Sequence, residues 1–356
     1  MKRIAIISAY AYVEHHANYG SLLQYFALQT CLESLGLQPF WVRYVLPEEH
    51  SITYEIKEVV KVCTSSYDRD RIKAINGQNR FIKNYLRLSE KEYCGFDEIA
   101  NNPPVADLYI TGSDQVWGGC IEANYLRFAP EGKTKIAYAA SFGQSKLTEE
   151  QCSLIPDWIR EIKYVSLRES EGVRICDELG IPSIMVADPT LLLNENDYPI
   201  CEPITRPDLF CYFLNKFTLD KHVDSLIQSS NTVFCGGVNK NATSYRSFER
   251  ILSPEEWIGM IKGAGTILTN SFHGMIFSII YKKPFVVFLQ NGETGAQNSR
   301  IFSFLSYIGL QDRIYQSPEQ FDKLLEAEID WEKVNWHIDS LRSISIDFIK
   351  NALKPV

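Results

Sequence analysis

Four charged or titratable side chains stand where apolar runs give way to polar residues: Asp114, Arg168, His273 and Arg300. His273 belongs to the stretch Gly265 to Ser278, in which Ile267 and Leu268 lead to Thr269-Asn270-Ser271 and the apolar character resumes at Phe272. This pattern predicts a short buried strand, a break, and an apolar helix with His273 at the junction. Asn270 and Ser271 are capping-type residues, whose side-chain oxygens can satisfy the first helical N–H groups. A helix start after a strand favours negative charge through its free N–H groups and its dipole. A phosphate or carboxylate could therefore bind beside His273, with Asn270 and Ser271 as further binding candidates. Two guanidinium forks and an imidazole suit a small, doubly anionic molecule, because the forks bind oxyanions and the imidazole exchanges a proton near neutral pH. Asp114 follows Gly112-Ser113 and is a candidate general base. Structural alternatives stand beside each: a hydrogen-bonded core histidine, an aspartate that caps a helix, an arginine paired with a nearby carboxylate.

The elements that must position these residues alternate. Ile4 to Ser8 reads as a buried strand, a polar and aromatic loop runs from Ala9 to Asn18, and Leu22, Tyr25, Phe26 and Leu32 share one helical face before Gly36. Pro39 to Tyr44 is a second strand, so the chain opens as a doubly wound α/β domain. Loops after strands hold ligands in such sheets, which puts His15 and His16 in a candidate position, although adjacent histidines in a loop are more often solvated than functional. Residues 50–100 read as mostly helical and charged, an insertion over the cleft. Strands follow at Asp107 to Thr111, Lys135 to Phe142 and Tyr164 to Arg168, with helices at Thr148 to Arg160 and Glu169 to Leu179. The proline-rich segment Asn194 to Pro207 marks a boundary. Beyond it the alternation restarts at Leu209 to Leu214, and Ser253-Pro254-Glu255-Glu256 has the form of a capping box with proline at the first helical position. The expected division is a first Rossmann-like domain over 1–195, a second over 208–330, and a C-terminal helix over 331–356 that packs back on the first. The site belongs in the cleft between the halves.

Bulk properties narrow the function. At 356 residues, 45% apolar and 22% charged, the chain suits two globular domains. A formal charge of -8 argues against general nucleic-acid binding. Nine cysteines, scattered singly, read as reduced thiols in the cytoplasm, with no clustered metal ligands. No run approaches the ~20 apolar residues of a membrane helix, so contact with a lipid-linked substrate would be peripheral, at the inner face of the cell membrane. GxGxxG, Walker, HExxH and GxSxG signatures are absent.

Five segments carry a resemblance: Asn18-Tyr19-Gly20-Ser21-Leu22-Leu23-Gln24, Ile110 to Trp117, Ser166-Leu167-Arg168-Glu169, Val186-Ala187-Asp188-Pro189-Thr190, and Thr269 to Gly274. In this order they resemble the polysaccharide pyruvyl transferase family, in its bacterial capsule and exopolysaccharide branch. The resemblance implies a GT-B-like fold of two Rossmann-like domains facing a cleft. It also implies phosphoenolpyruvate as donor, a glycan acceptor that is often lipid-linked, and neither cofactor nor metal. On this resemblance Arg168 is the donor-binding arginine, His273 the catalytic histidine, and Arg300 a basic donor-binding residue. Asn18 joins the substrate-binding set through its segment, and Asp114 would activate the acceptor hydroxyl. Many relatives carry an arginine two positions before the histidine, where this chain has Ser271. A nucleotide-sugar glycosyltransferase of the same fold and a non-catalytic glycan-assembly protein are the alternatives.

Overall fold

In a computed structural model the described residues are 1–8, 19–47, 66–203, 205–214, 219–236, 252–290 and 298–354. The first half contains β1 (Arg3–Ile7), α1 (Tyr19–Ser34), β2 (Gln38–Val45), α2 (Ser66–Tyr85), β3 (Leu88–Cys94), α3 (Phe96–Asn101), β4 (Leu108–Thr111), β5 (Thr134–Ala140), α4 (Glu149–Arg160), β6 (Tyr164–Leu167), α5 (Ser170–Glu178) and β7 (Ile184–Met185). Its strands form one parallel sheet of order β3-β2-β1-β4-β5-β6-β7. The sequence runs outward in both directions from β1 and β4, so those two flank the switch point where parallel sheets bind ligands.

The second half contains β8 (Leu209–Phe213), α6 (Lys221–Ser229), β9 (Thr232–Gly236), α7 (Pro254–Gly263), β10 (Thr266–Thr269), α8 (Phe272–Ile280), β11 (Phe285–Val287), α9 (Asn298–Ile308), α10 (Pro318–Glu326) and α11 (Trp331–Ala352). Its strands form a second parallel sheet, β11-β10-β8-β9, whose switch point lies between β8 and β10. Two parallel sheets, each flanked by helices, make two Rossmann-like domains. Helix α11 returns to the first half: the Ala187 amide donates to Ser345 Oγ at 2.8 Å and Arg342 Nε to the Leu191 carbonyl at 2.7 Å.

Local chemistry explains the boundaries. Ser253 accepts a hydrogen bond from the Glu256 amide while Glu256 bonds back to the Ser253 amide, the expected capping box with Pro254 in the first turn. Thr148 and Gln151 do the same for α4.

Two expectations need correction. The described part of the 50–100 stretch is mostly helical, as expected, but it is not simply an insertion over the cleft, because β3 pairs in parallel with β2 and extends the first sheet. Its alternation Leu88, Glu90, Glu92 against Ser89, Tyr93 is too polar to signal an edge strand that buries little. Residues 50–65 of that stretch lie outside the described residues. Helix α1 is not amphipathic with one buried face. Twelve of its sixteen residues are buried, among them Ser21, Gln24 and Gln29. It is covered on several sides by α2, α7, α8 and the 3-10 turn Pro189–Leu192, so it serves as the wedge between the halves and carries polar side chains inward to meet the site.

Candidate active site

Asp114 follows β4, Arg168 ends β6, and Asp188 follows β7, all at carboxyl ends of the first sheet. His273 is the second residue of α8, at the carboxyl end of β10. The four meet: Arg168 Nη1 donates to Asp188 Oδ2 at 3.0 Å, Arg168 Nη2 lies 3.6 Å from Asp114 Oδ1, and His273 Nε2 lies 3.6 Å from Asp188 Oδ2. Arg168 and Asp188 have side-chain exposures of 1% each, so the pair is out of water.

The Arg168 guanidinium is unevenly used. Nη1 is anchored on Asp188, whereas Nε and Nη2 make no hydrogen bond among the described residues. Glu169 approaches Nε at 3.9 Å, outside bonding distance. That Nε–Nη2 edge is the one on which a guanidinium binds an oxyanion with two parallel bonds. Phe272 carries both arginines, with the Arg168 guanidinium 5.2 Å and the Arg300 guanidinium 5.6 Å from its ring centre. Guanidiniums on an aromatic face are attracted by the ring's quadrupole, so one ring sets the spacing of two cations contributed by different halves.

Helix α1 completes the site. Ser21 Oγ donates to Asp114 Oδ2 at 2.6 Å, and the Gln24 amide contacts His273 Nε2 directly. A methyl group at Gly20 would overlap the His273 ring, so glycine is required where helix and imidazole touch. Asp114 has φ 78, a left-handed conformation costly for a residue with a side chain, held by Ser21 and by its own carboxylate on the Gln115 amide at 3.0 Å.

Charge follows from this packing. Burial alone would raise the Asp114 pKa, but Arg168, His273 and the Ser21 hydrogen bond outweigh it and hold the carboxyl below its ordinary value. Burial opposes ionisation of Asp188 too, and His273 and Arg168 overcome it, placing that carboxyl well below the usual range. Glu169 goes the other way: burial raises it more than Arg168 and Arg300 lower it. Burial and the neighbouring Arg168 push Arg300 down to about 10, which leaves it charged at neutral pH.

The sequence-predicted residues divide. Asp114, Arg168, His273 and Arg300 converge. Ser271 caps α8, accepting from the Gly274 amide at 3.3 Å. The Asn270 amide is used at both ends by the Leu214 backbone, accepting from N at 2.6 Å and donating to O at 2.8 Å. It thus pins β8 to β10 at the switch point rather than facing a ligand. Asn18, His15 and His16 lie outside the described residues. Sequence reasoning missed Glu169, Asp188, Gln24, Gly20 and Phe272 as parts of the site. Asp188 had a signal, an aspartate at a strand end before proline; Gln24 had only its place in the first resemblance segment, since a glutamine inside a helix is otherwise ordinary.

The model of a family described as polysaccharide pyruvyl transferase matches residues 18–291. Among curated proteins no sequence matches. Among solved structures, a Listeria monocytogenes protein described as a UDP-N-acetylglucosamine 2-epimerase is similar with a TM-score of 0.54 at 9% identity, over 99% of this chain and 95% of that one. The N-terminal domain of Candida albicans trehalose-6-phosphate phosphatase is similar with a TM-score of 0.51 at 10% identity, over 99% of this chain and 97% of its own. At these identities the likeness is one of fold alone: two Rossmann-like domains in a GT-B-like arrangement.

Proposed function

Because the chain belongs to the polysaccharide pyruvyl transferase family and is thereby a transferase, we propose that it moves the enolpyruvyl group of phosphoenolpyruvate onto two hydroxyls of a hexose. The hexose belongs to a cell-surface polysaccharide or its lipid-linked precursor, the product is a pyruvyl ketal, and phosphate is released. The observation that carries this reading is the buried Arg168, fixed through Nη1 while Nε and Nη2 remain unbonded beside His273. Such an edge suits the carboxylate or phosphate of the donor, and Arg300 supports the other anionic group.

His273 protonates the donor methylene, which places positive charge on the adjacent carbon. A sugar hydroxyl attacks that carbon, then a second hydroxyl displaces phosphate and closes the ketal. Of the two protons given up by the hydroxyls, one balances the new methyl group and one leaves on phosphate. Asp188 and Gln24 orient the imidazole, and Arg168 and Arg300 restrain the donor and stabilise its charge. The Asp114 carboxyl is held below its ordinary value, so it is a weak base and serves the acceptor hydroxyl better as a hydrogen-bond acceptor than by removing its proton. Ser271 and the start of α8 complete the anion site, and Asn18 keeps the substrate-binding role that its segment implies.

In this reading residues 1–195 form the acceptor side, 208–330 the donor side, and 331–356 a helix fastened to the first domain. The protein works in the cytoplasm with peripheral contact at the membrane face. No helix of the described residues is long and apolar enough to cross a membrane.

The test is incubation with phosphoenolpyruvate and a panel of lipid-linked acceptors, followed by mass spectrometry for added pyruvate and an assay for phosphate. Pyruvate addition that is lost in His273→Ala is expected. Transfer from a nucleotide sugar, with no product from phosphoenolpyruvate, would reject the reading.

A further inference from the structure

Glu169 is a buried carboxyl group that the mechanism leaves without a role. Its side chain is 3% exposed, and neither oxygen completes a hydrogen bond among the described residues. The Ser141 hydroxyl and the Phe142 amide, just past β5, face the carboxyl closely enough to favour its charged form, though neither meets full hydrogen-bond geometry and burial outweighs them. Arg168 faces it from the end of β6, 3.9 Å away at Nε, and Arg300 faces it from α9. Asp114 and Asp188 hold the other sides of the same guanidinium. Arg168 therefore has three carboxylates around it but donates a hydrogen bond to only one.

An oxyanion that docks on the Nε–Nη2 edge must come against Glu169, since Nε is the atom Glu169 approaches. With Asp188 and Asp114 already ionised around Arg168, a charged Glu169 and a docked oxyanion together would crowd two more negative charges onto one buried cation at a large Coulomb cost. A carboxylic acid in the same place has no such conflict, because its O–H becomes a donor toward the incoming oxygen. Buried like-charged groups elsewhere resolve the conflict in this way, by sharing a proton. Burial already favours the neutral form of Glu169.

We infer that Glu169 is an anion-binding residue that acts as a neutral acid: the donor's oxyanion docks on the Nε–Nη2 edge of Arg168, and Glu169 takes up a proton and donates it in a hydrogen bond to that oxyanion. The inference rests on phosphoenolpyruvate as the donor and adds that its binding is coupled to proton uptake at a named residue.

The experiment measures phosphoenolpyruvate binding to the full chain by titration calorimetry from pH 7 to 9. In this range its phosphate, with a second pKa of about 6, is largely ionised and contributes little of the proton count. For the wild type, paired buffers of different ionisation enthalpy should report uptake of a substantial fraction of a proton. The Kd should rise toward tenfold per pH unit at the alkaline end. In Glu169→Gln the uptake and the slope should disappear, and affinity at pH 9 should exceed that of the wild type. If Glu169→Gln does not fold, the buffer-pair measurement on the wild type at pH 8 decides alone, with no proton uptake overturning the inference. Binding to both forms with equal proton uptake would overturn the inference and leave the donor assignment intact. Binding to neither form at any pH would overturn both.

Discussion

Replacing Asp188 by asparagine isolates the central ion pair without changing its shape. Asp188 Oδ1 accepts from the Thr190 amide at 3.0 Å and its hydroxyl at 2.6 Å, and an asparagine oxygen can keep both. Oδ2, which accepts from Arg168 Nη1 at 3.0 Å, becomes an NH2 group facing another donor. Breaking a buried pair by neutralising one partner costs roughly 3–5 kcal/mol. Asp114 and Glu169 remain near Arg168 at 3.6 and 3.9 Å, so the low end applies, about 3 kcal/mol. For domains of this size that corresponds to a fall in Tm of roughly 6–12 °C. The pH dependence gives a second, sharper check. The folded-state pKa of Asp188 is depressed, so its contribution is present above the unfolded value of about 3.9 and fades as pH falls toward the folded value. The gap between wild type and Asp188→Asn, measured by urea unfolding, should be full at pH 6–7 and shrink below about pH 4. A loss under about 1 kcal/mol at pH 7 would refute the charge argument, as would a gap of constant size down to pH 3.

Two further outcomes follow from α1 and α11. Gly20→Ala gains up to about 1 kcal/mol of helix propensity, but its methyl group overlaps the His273 ring, and overpacking costs about 1–3 kcal/mol. Stability should therefore change little while the displaced imidazole lowers kcat at least tenfold, a split that circular dichroism melting and steady-state kinetics together would show. Ser345→Ala removes the acceptor of the buried Ala187 amide and should cost about 1–3 kcal/mol. That loss should appear in urea unfolding with donor KM unchanged, since among the described residues Ser345 Oγ bonds the Ala187 amide and the Leu341 carbonyl and no side chain of the site.

What the sequence made legible depended on whether a residue's role was local. The start of α8 could be read because a strand, a cap and an apolar helix are written in consecutive residues, and Ser271 occupies the predicted cap. The capping box at Ser253 was legible for the same reason. Arg168 and Arg300 were legible as charges at element ends, but their common support on Phe272 was not, because it joins residues from separate elements. Gln24 and Gly20 were hidden for a different reason. A helix that is wedged between two domains buries most of its circumference, so periodicity no longer marks one face as inward and the polar residues look like ordinary surface. Asn270 misled in the opposite direction: its amide suits a ligand, yet the switch point between β8 and β10 uses both ends of it on the Leu214 backbone.

Ser271 and Glu169 belong to one charge balance. The buried cluster holds two arginines, Arg168 and Arg300, against three carboxyl groups, Asp114, Asp188 and Glu169. With all five ionised, the arginines and carboxyl groups alone sum to one negative charge before any donor arrives. An arginine at position 271, the residue the family resemblance leads one to expect, would bring the balance to zero from the second domain. Here the position holds a serine that caps α8, and no added cation is available from that helix start. The remaining way to make room for a multiply charged donor is to remove one of the negative charges. Asp114 and Asp188 are stabilised as anions by Arg168 and His273, whereas Glu169 is the carboxyl group whose burial favours the proton. The serine therefore does not argue against an anionic donor; it moves the task of neutralisation from a guanidinium in the second domain to a proton in the first.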